Sequence, residues 1–104
     1  MNISGETKLF PIIGDPVAGV VSPPAVNAWF EANAVDACMM PLNIPTSYIT
    51  GFWDMLRASN TFLGCSITYP HKQSAYAQVD TMTERATRLG ALNTVRRADD
   101  GSLC

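Results

Sequence analysis

Short apolar segments alternate with longer amphipathic segments along most of this 104-residue chain. The apolar segments predict strands at 8–13 and 36–44 and a third strand that begins after Gly64. The amphipathic segments predict helices at 22–33 and 45–57. Strands that alternate with helices of about 10 to 15 residues indicate βαβ units, with parallel pairing and right-handed crossovers. We therefore expect an α/β fold with helices on both faces of the sheet.

The last third of the chain predicts a change in strand direction. Two helical segments are predicted at 73–78 and 83–89, and Gly90 with Ala91 is predicted to end the second. A strand at 92–97, a turn at 98–101 and a returning strand at 102–104 have the pattern of a hairpin. The hairpin adds an antiparallel element, so the fold class we predict is a three-layer α-β-α fold with a mostly parallel, mixed sheet.

Prolines mark where several of these elements begin or are interrupted. Ser22 precedes Pro23 at the start of the first helix, so we predict Ser22 as the N-cap and Pro23 as the first helical residue. Pro11 lies inside the first strand and has no amide hydrogen, which favours an edge strand or a position where the missing donor is harmless. The segment 36–44 is almost entirely apolar, so we expect a strand buried on both faces.

The composition is that of one globular domain with a weakly charged surface. Apolar residues make up 47% of the chain, charged residues make up 15%, and the net charge is −2. These values do not favour nucleic acid or an anionic membrane as a partner. The three cysteines have no close spacing, so we expect neither a disulfide framework nor a zinc site, and a reducing cytosol fits them best. Without a signal-peptide pattern or a long apolar segment, we expect a soluble, cytoplasmic protein.

The segment 65–72 carries the polar groups from which we predict a ligand site. Ser66 and Thr68 are two residues apart and therefore share one face of the strand near its carboxyl end. Pro70 ends the strand, and Lys72 follows two residues later. Ligands of open α/β sheets bind beyond the carboxyl ends of the strands. Two hydroxyls and an ammonium group there suit a small, oxygen-rich anion. The alternative, a buried threonine that caps a turn beside a solvated lysine, stays open.

Several short motifs together resemble the substrate-binding domain of shikimate dehydrogenases, from about Phe10 to Leu103. The motifs are Gly14-Asp15-Pro16, Ser22-Pro23, Ser66-Ile67-Thr68-Tyr69-Pro70-His71-Lys72 and Gly90-Ala91-Leu92-Asn93-Thr94. They stand in the family's order and at its separations. Two positions depart from the family pattern, because Val20 stands where the family has a serine and Ser66 where it has an asparagine. The first departure removes one hydroxyl contact to the substrate, and the second shortens the reach and removes one donor at another contact.

The resemblance implies an NADP-dependent oxidoreductase that interconverts 3-dehydroshikimate and shikimate in the biosynthesis of chorismate and aromatic amino acids. By their positions in the motifs, Lys72 is the catalytic proton-transfer residue and Glu84 lies near the cofactor. The substrate is contacted by Ser22, Ser66, Thr68 and Asn93. No Gly-x-Gly-x-x-Gly turn is present. Residues 1–104 are therefore expected to be the amino-terminal substrate-binding domain of a longer protein, inactive without the NADP-binding Rossmann domain.

Two other functions remain open at this stage. One is a paralogue that acts on quinate or another cyclic hydroxy acid, and the other is a domain that binds such acids without catalysis. The changes at Val20 and Ser66 favour a paralogue or a weakened site. The intact segment 68–72 and Asn93 favour an enzyme over a domain that only binds. In each case the partner is a small cyclic hydroxy acid, with oligomers possible and no nucleic acid or membrane expected. The single histidine, His71, has no partner at metal-ligand spacing, so we predict no metal site and an exposed imidazole.

Overall fold

Strands and helices alternate along the residues that the computed structural model describes, which are 2–90 and 92–104. In chain order the elements are β1 (Lys8–Leu9), β2 (Ile12–Gly14), α1 (Ser22–Ala32), β3 (Ala37–Cys38), β4 (Pro41–Asn43), a 3₁₀ turn (Thr46–Tyr48), α2 (Ile49–Ala58), β5 (Gly64–Ile67), α3 (Lys72–Gln78), α4 (Glu84–Leu89) and β6 (Thr94–Arg96). The prediction that Ala91 helps to end a helix falls outside the described residues. Gly90, its predecessor, does end α4, in the left-handed conformation with φ of 66°.

The main sheet has four strands in the order β4-β2-β5-β6. Strand β2 pairs in parallel with β4 on one side and with β5 on the other, whereas β5 and β6 are antiparallel. Strands β1 and β3 form a short parallel pair of their own. After β6 the chain turns back, and the amide of Ala98 donates to the carbonyl of Ser102 at 2.9 Å. The mostly parallel, mixed sheet and the terminal hairpin are thus confirmed.

Two apolar clusters cover the two faces of the sheet. Ile12 and Ile13 are consecutive in β2, so their side chains point to opposite faces. Ile12 packs in a cluster with Phe30 of α1, whereas Ile13 packs in a second cluster with Trp53 of α2 and Ala75 of α3. The second cluster includes the predicted stripe of α2, whose members are Ile49, Phe52, Trp53 and Leu56. Helices therefore lie on both faces, which confirms the three-layer α-β-α fold.

Pro11 interrupts the first predicted strand and separates β1 from β2. Strand β2 is an inner strand of the main sheet, so the edge-strand alternative is wrong. Pro11 has no amide hydrogen to donate, but its carbonyl accepts from the amide of Ser66 in β5 at 2.8 Å. The residue therefore still contributes one hydrogen bond toward β5.

The apolar segment 36–44 is not the doubly buried strand that its composition predicts. It is divided into β3 and β4, and all three residues of β4 are exposed. Strand β4 forms an edge of the main sheet, where a strand has a neighbour on one side only. Ala37 and Met39 alone carry the segment's contribution to the cluster beneath α1. Strand order, which local composition does not encode, explains the difference.

Helix α1 begins one residue earlier than predicted, and Ser22 does not cap it. Ser22 is itself the first helical residue, Val21 is the N-cap, and no side chain accepts a capping hydrogen bond. The helix is instead fastened to the neighbouring strand segment by Asn27. The Asn27 amide nitrogen donates to the carbonyl of Met39 at 3.0 Å, and its side-chain oxygen accepts from the amide of Met39 at 2.7 Å. This pair of bonds orients α1 against the sheet.

Candidate functional site

The segment 65–72 lies where its sequence predicts, at the carboxyl end of an inner strand. Cys65 and Ile67 of β5 are buried, and the alternating residues Ser66 and Thr68 are half-buried. The amide of Thr68 donates to the carbonyl of Ile13 at 2.9 Å, so the end of β5 is level with the end of β2. A turn with a cis Tyr69–Pro70 bond follows, and α3 begins directly at Lys72.

Thr68 and Lys72 line one cavity. The cavity has a volume of about 470 Å³, and Tyr69, Pro70 and Gln73 complete its lining. This volume falls within the range of about 300–1,000 Å³ that is usual for small-molecule sites. The cavity therefore combines a hydroxyl donor and acceptor with an ammonium group, which is a suitable pair for an oxygen-rich anion.

Asn93 lies directly beside Ser66. The backbone carbonyl of Asn93 accepts from the amide of Ile67 at 2.7 Å and lies 3.5 Å from the hydroxyl of Ser66. The amide of Leu92 donates to the carbonyl of Lys72 at 3.3 Å, which joins this segment to the start of α3. The structure thus brings Ser66, Lys72 and Asn93 to the same end of the sheet. Asn93 lines a separate cavity of about 400 Å³, whose other lining residues include Thr83, Arg85 and Cys104.

The turn after β2 packs closely against Thr68. A Cβ atom added to Gly14 would overlap Cγ2 of Thr68 and would lie 3.0 Å from the carbonyl oxygen of Tyr69. The amide of Asp15 donates to that same carbonyl at 3.0 Å. Gly14 therefore allows the first turn of the chain to approach the Thr68–Lys72 turn closely, which a larger residue would prevent.

Asn43 is a supporting residue that the sequence analysis missed. Its amide nitrogen donates to the carboxylate of Asp15 at 3.1 Å, and its side-chain oxygen accepts from the amide of Val17 at 3.1 Å. Asn43 thereby holds the turn that follows β2. The available signal was a polar residue that closes an apolar strand at the carboxyl edge of the sheet.

Ser22 and Glu84 do not line the two cavities described above. Ser22 is half-buried at the start of α1, and its neighbour Val20 packs against the apolar cluster beneath that helix. Glu84 is exposed, and its carboxylate lies 4.0 Å from the guanidinium of Arg88. The residues of α4 that line the cavity beside Asn93 are Arg85 and Ala86. Ser66 likewise lines neither cavity. The roles of all the predicted site residues stay predictions, namely those of Lys72, Ser22, Ser66, Thr68, Asn93 and Glu84.

His71 is buried, so its predicted exposure is wrong. Only 1% of its surface is accessible. One ring nitrogen, Nε2, lies 2.7 Å from the carbonyl oxygen of Ile44, in the segment that follows β4. The buried imidazole is therefore paired by a hydrogen bond to a residue 27 positions away in the chain.

Cys65 is a buried residue of β5 beside Ser66, and it is not a nucleophile. Its burial raises the pKa of the thiol to about 12. The thiolate is the reactive form of cysteine, so this thiol stays neutral and inert at physiological pH. Over residues 2–90 and 92–104, no group of three or more histidine, cysteine, aspartate or glutamate side chains could hold a metal ion. The helices of the same residues include none long and apolar enough to cross a membrane.

An α/β domain with hydroxyl, amide and ammonium groups at the carboxyl edge of its sheet defines a small-molecule-binding domain. Residues 12–95 match the family model of the shikimate dehydrogenase substrate binding domain. The chain belongs to this family.

Shikimate dehydrogenases resemble this chain both in sequence and in structure. The NADP(+) shikimate dehydrogenase of Rubrobacter xylanophilus is 41% identical over 101 residues, which are 97% of this chain and 35% of that protein. The shikimate 5-dehydrogenase of Listeria monocytogenes, solved in complex with shikimate and NAD, superposes with a TM-score of 0.90 at 26% identity. That match covers 99% of this chain and 35% of the other.

A second solved relative is the shikimate 5-dehydrogenase of Thermus thermophilus in complex with NADP(H) and shikimate. It superposes with a TM-score of 0.84 at 29% identity over 93% of this chain and 36% of its own length. The chain thus spans about a third of the length of the relatives it matches. The family and the α/β fold predicted from the sequence are both confirmed.

Proposed function

We propose that this chain is the substrate-binding part of an NADP-dependent shikimate dehydrogenase, which interconverts shikimate and 3-dehydroshikimate. The observation that carries the proposal is the cavity of about 470 Å³ shared by Thr68 and Lys72, in a chain that belongs to the shikimate dehydrogenase family. A hydroxyl and an ammonium group at the carboxyl edge of the sheet suit a ring with several hydroxyls and a carboxylate.

Oxidation of a ring hydroxyl requires that its proton leave as the hydride leaves the carbon. Lys72 is the group in the cavity that exchanges this proton, through its Nζ atom, in both directions of the reaction. Thr68 holds a neighbouring ring hydroxyl. Asn93 suits a second hydroxyl because its amide can both donate and accept a hydrogen bond. Ser22 is assigned to the carboxylate and Ser66 to a ring hydroxyl, by position in the family motifs.

NADP, when bound, accepts or supplies the hydride. The chain has no Gly-x-Gly-x-x-Gly turn to hold a dinucleotide. The cavity beside Asn93 fits only a part of such a molecule, with Arg85 as its cation. We therefore assign most of the cofactor contacts to a Rossmann domain of a longer, full-length protein in which residues 1–104 form the amino-terminal domain. Glu84 is exposed on the helix that carries Arg85 and stays a candidate at the edge of the cofactor site.

A second candidate is a paralogue that acts on quinate or a related cyclic hydroxy acid. It is favoured by Val20, which packs into the cluster beneath α1 instead of offering a hydroxyl, and by the short side chain of Ser66. The first candidate is a cytoplasmic enzyme of aromatic amino-acid biosynthesis, for which an oligomer is possible. The intact Lys72 and Asn93 argue against a domain that only binds its ligand.

Both candidates are tested by one assay of the full-length protein. With shikimate and NADP, we expect the absorbance of the reduced nicotinamide to rise, and quinate in the same assay tests the paralogue. The chain of 104 residues alone should give no rise, because it lacks a dinucleotide site. Turnover with neither acid would contradict the dehydrogenase proposal. Turnover by the isolated chain would contradict its assignment as a binding part.

A further inference from the structure

His71 is a buried polar side chain that the proposed reaction does not use. Only 1% of its surface is accessible, and its Nε2 atom lies 2.7 Å from the carbonyl oxygen of Ile44. A carbonyl oxygen can only accept a hydrogen bond, so Nε2 carries a proton and donates it. The ring therefore joins the segment after β5 to the segment after β4.

Ile44 is in turn fixed to the strand between them. Its amide donates to the carbonyl of Gly14 at 2.9 Å. The imidazole of His71 is thus connected, through one residue, to the end of β2. The three strand ends that surround the candidate site, at residues 14, 43 and 67, are joined by consecutive hydrogen bonds. A hydrogen bond within low-dielectric surroundings resists distortion more than one in water.

In the chain, His71 lies between Thr68 and Lys72, two of the residues that line the cavity. Its amide donates to the carbonyl of Thr68 at 3.1 Å, and Lys72 follows it as the first residue of α3. His71 occupies the N-cap position of α3, yet its side chain makes no capping hydrogen bond. The bond to Ile44 instead determines where this helix begins relative to β4 and β2.

We propose that His71 is a positioning residue, whose hydrogen bond to Ile44 fixes the separation of Thr68 and Lys72 across the cavity. The expected effect on turnover rests on the proposed function, whereas the hydrogen bond that positions the two residues does not depend on it. Reacting groups must be held within a fraction of an ångström, and a misplacement of about 1 Å can cost about 100-fold in rate. A residue that acts in this way changes turnover without touching the substrate.

The kinetic test uses His71→Phe and His71→Gln in the full-length protein. Phenylalanine fills the space of the ring without a donor, whereas the Gln amide nitrogen can take the place of Nε2. We expect His71→Phe to lower kcat by about 10- to 100-fold with a smaller change in KM, and His71→Gln to recover most of the loss.

Thr7→Val is the matched control for lost stability. Thr7 is also buried, at 4% exposure, and it precedes β1 at the opposite end of the sheet. Its hydroxyl donates to the carboxylate of Asp36 at 2.8 Å. This variant loses that part-buried bond and the one that the hydroxyl accepts from the amide of Ser4 at 2.9 Å, but it should keep kcat within about threefold. Equal losses of kcat in His71→Phe and Thr7→Val, or no loss in His71→Phe, would overturn the proposal.

Amide hydrogen exchange separates the positioning role from the proposed function. In His71→Phe, exchange should accelerate at the amides of Asp15 and Ala75, which donate to Tyr69 at 3.0 Å and to His71 at 2.9 Å. In Thr7→Val these two amides should exchange as in the unsubstituted protein. If the unsubstituted protein turns over no shikimate, the proposed function fails, and exchange alone decides the role of His71. Unchanged exchange at both amides in His71→Phe would then overturn it.

Discussion

Gly14 and Thr68 are in contact so close that a Cβ atom at residue 14 would overlap the methyl group of Thr68. Gly14 ends β2, and Thr68 directly follows β5, the parallel neighbour of β2. The amide of Thr68 donates to the carbonyl of Ile13 at 2.9 Å. Glycine is therefore required here by space and not by backbone conformation. The contact places the turn after β2 directly against Thr68, a lining residue of the cavity.

Gly14→Ala should destabilise the protein and displace Thr68. Overpacking of this kind costs about 1–3 kcal/mol, because the carbonyl of Tyr69 at 3.0 Å blocks relaxation of the added methyl group. Thermal unfolding should show a lower Tm, and the full-length variant should bind shikimate more weakly. Gly51→Ala is the control: nothing lies within 4 Å of its added Cβ atom in α2. That change should stabilise the helix by about 0.5–1 kcal/mol. A Gly14→Ala variant as stable as the Gly51→Ala variant would contradict the contact.

Cys65 should resist alkylation in the folded protein. Burial raises the pKa of its thiol to about 12, so the reactive thiolate form is scarce compared with that of an ordinary thiol. Iodoacetamide at about pH 8 should modify the half-buried Cys38 and Cys104 first. Peptide mass spectrometry checks the order of modification, with urea-unfolded protein as the control in which all three react. Alkylation of Cys65 at the rate of Cys38 in folded protein would contradict its burial.

Asp80 should contribute stability that is lost in acid. Hydrogen bonds from the Arg57 guanidinium and from the amide of Leu103, at 2.9 and 2.8 Å, hold the pKa of Asp80 below its ordinary value. A lowered pKa means that stability is fully present above the unfolded-state pKa and is lost as pH falls through the folded-state pKa. Asp80→Asn should therefore lower Tm near neutral pH, with a difference that closes as the pH falls through the lowered pKa of Asp80 in the folded protein.

The control for Asp80 is Asp54→Asn, at an exposed position of α2. That variant should leave the pH dependence of Tm close to that of the unsubstituted protein. A parallel shift of Tm at every pH in Asp80→Asn would mean that the ionised carboxylate makes no favourable contact.

Ser66→Asn should strengthen shikimate binding in the full-length protein. Ser66 lies 3.5 Å from the carbonyl of Asn93, and the longer amide would restore the reach and the donor that the family pattern has here. One hydrogen bond contributes about 0.5–1.5 kcal/mol, so KM for shikimate should fall about 2- to 10-fold. Ser4→Asn, a similar exchange at a turn near the amino terminus, should leave KM unchanged. A rise in KM with Ser66→Asn, together with turnover of quinate, would favour the paralogue.

Features that depend on local periodicity were predictable from the sequence. The stripe of Ile49, Phe52, Trp53 and Leu56 is buried as its helical spacing predicts. The position of Ser66 and Thr68 on one face of β5, near its carboxyl end, likewise follows from the period of a strand. Each of these features is decided within about ten residues of chain, which is the range over which such patterns act.

Features that depend on contacts distant in sequence were not predictable. His71 is buried because it meets the carbonyl of Ile44, and Asn43 acts on Asp15 across 28 positions. The exposure of β4 follows from its place at the sheet edge, which its apolar composition contradicts. The orientation of Arg85, and not Glu84, toward the cavity beside Asn93 depends on how α4 is placed against the terminal hairpin.

The central claim is that Lys72 transfers the proton, and Lys72→Met in the full-length protein tests it most directly. Lys72 lines the cavity with Thr68, and methionine keeps much of its aliphatic chain but removes the Nζ atom. General acid–base catalysis contributes about 10²–10⁴-fold, so kcat for shikimate should fall by that factor while KM changes much less. Lys8→Met, at a lysine whose Nζ donates to the carbonyl of Asn60, is the control and should keep full turnover. If Lys72→Met keeps kcat within about threefold of the unsubstituted protein and instead raises KM, Lys72 only attracts the anion and the account is contradicted.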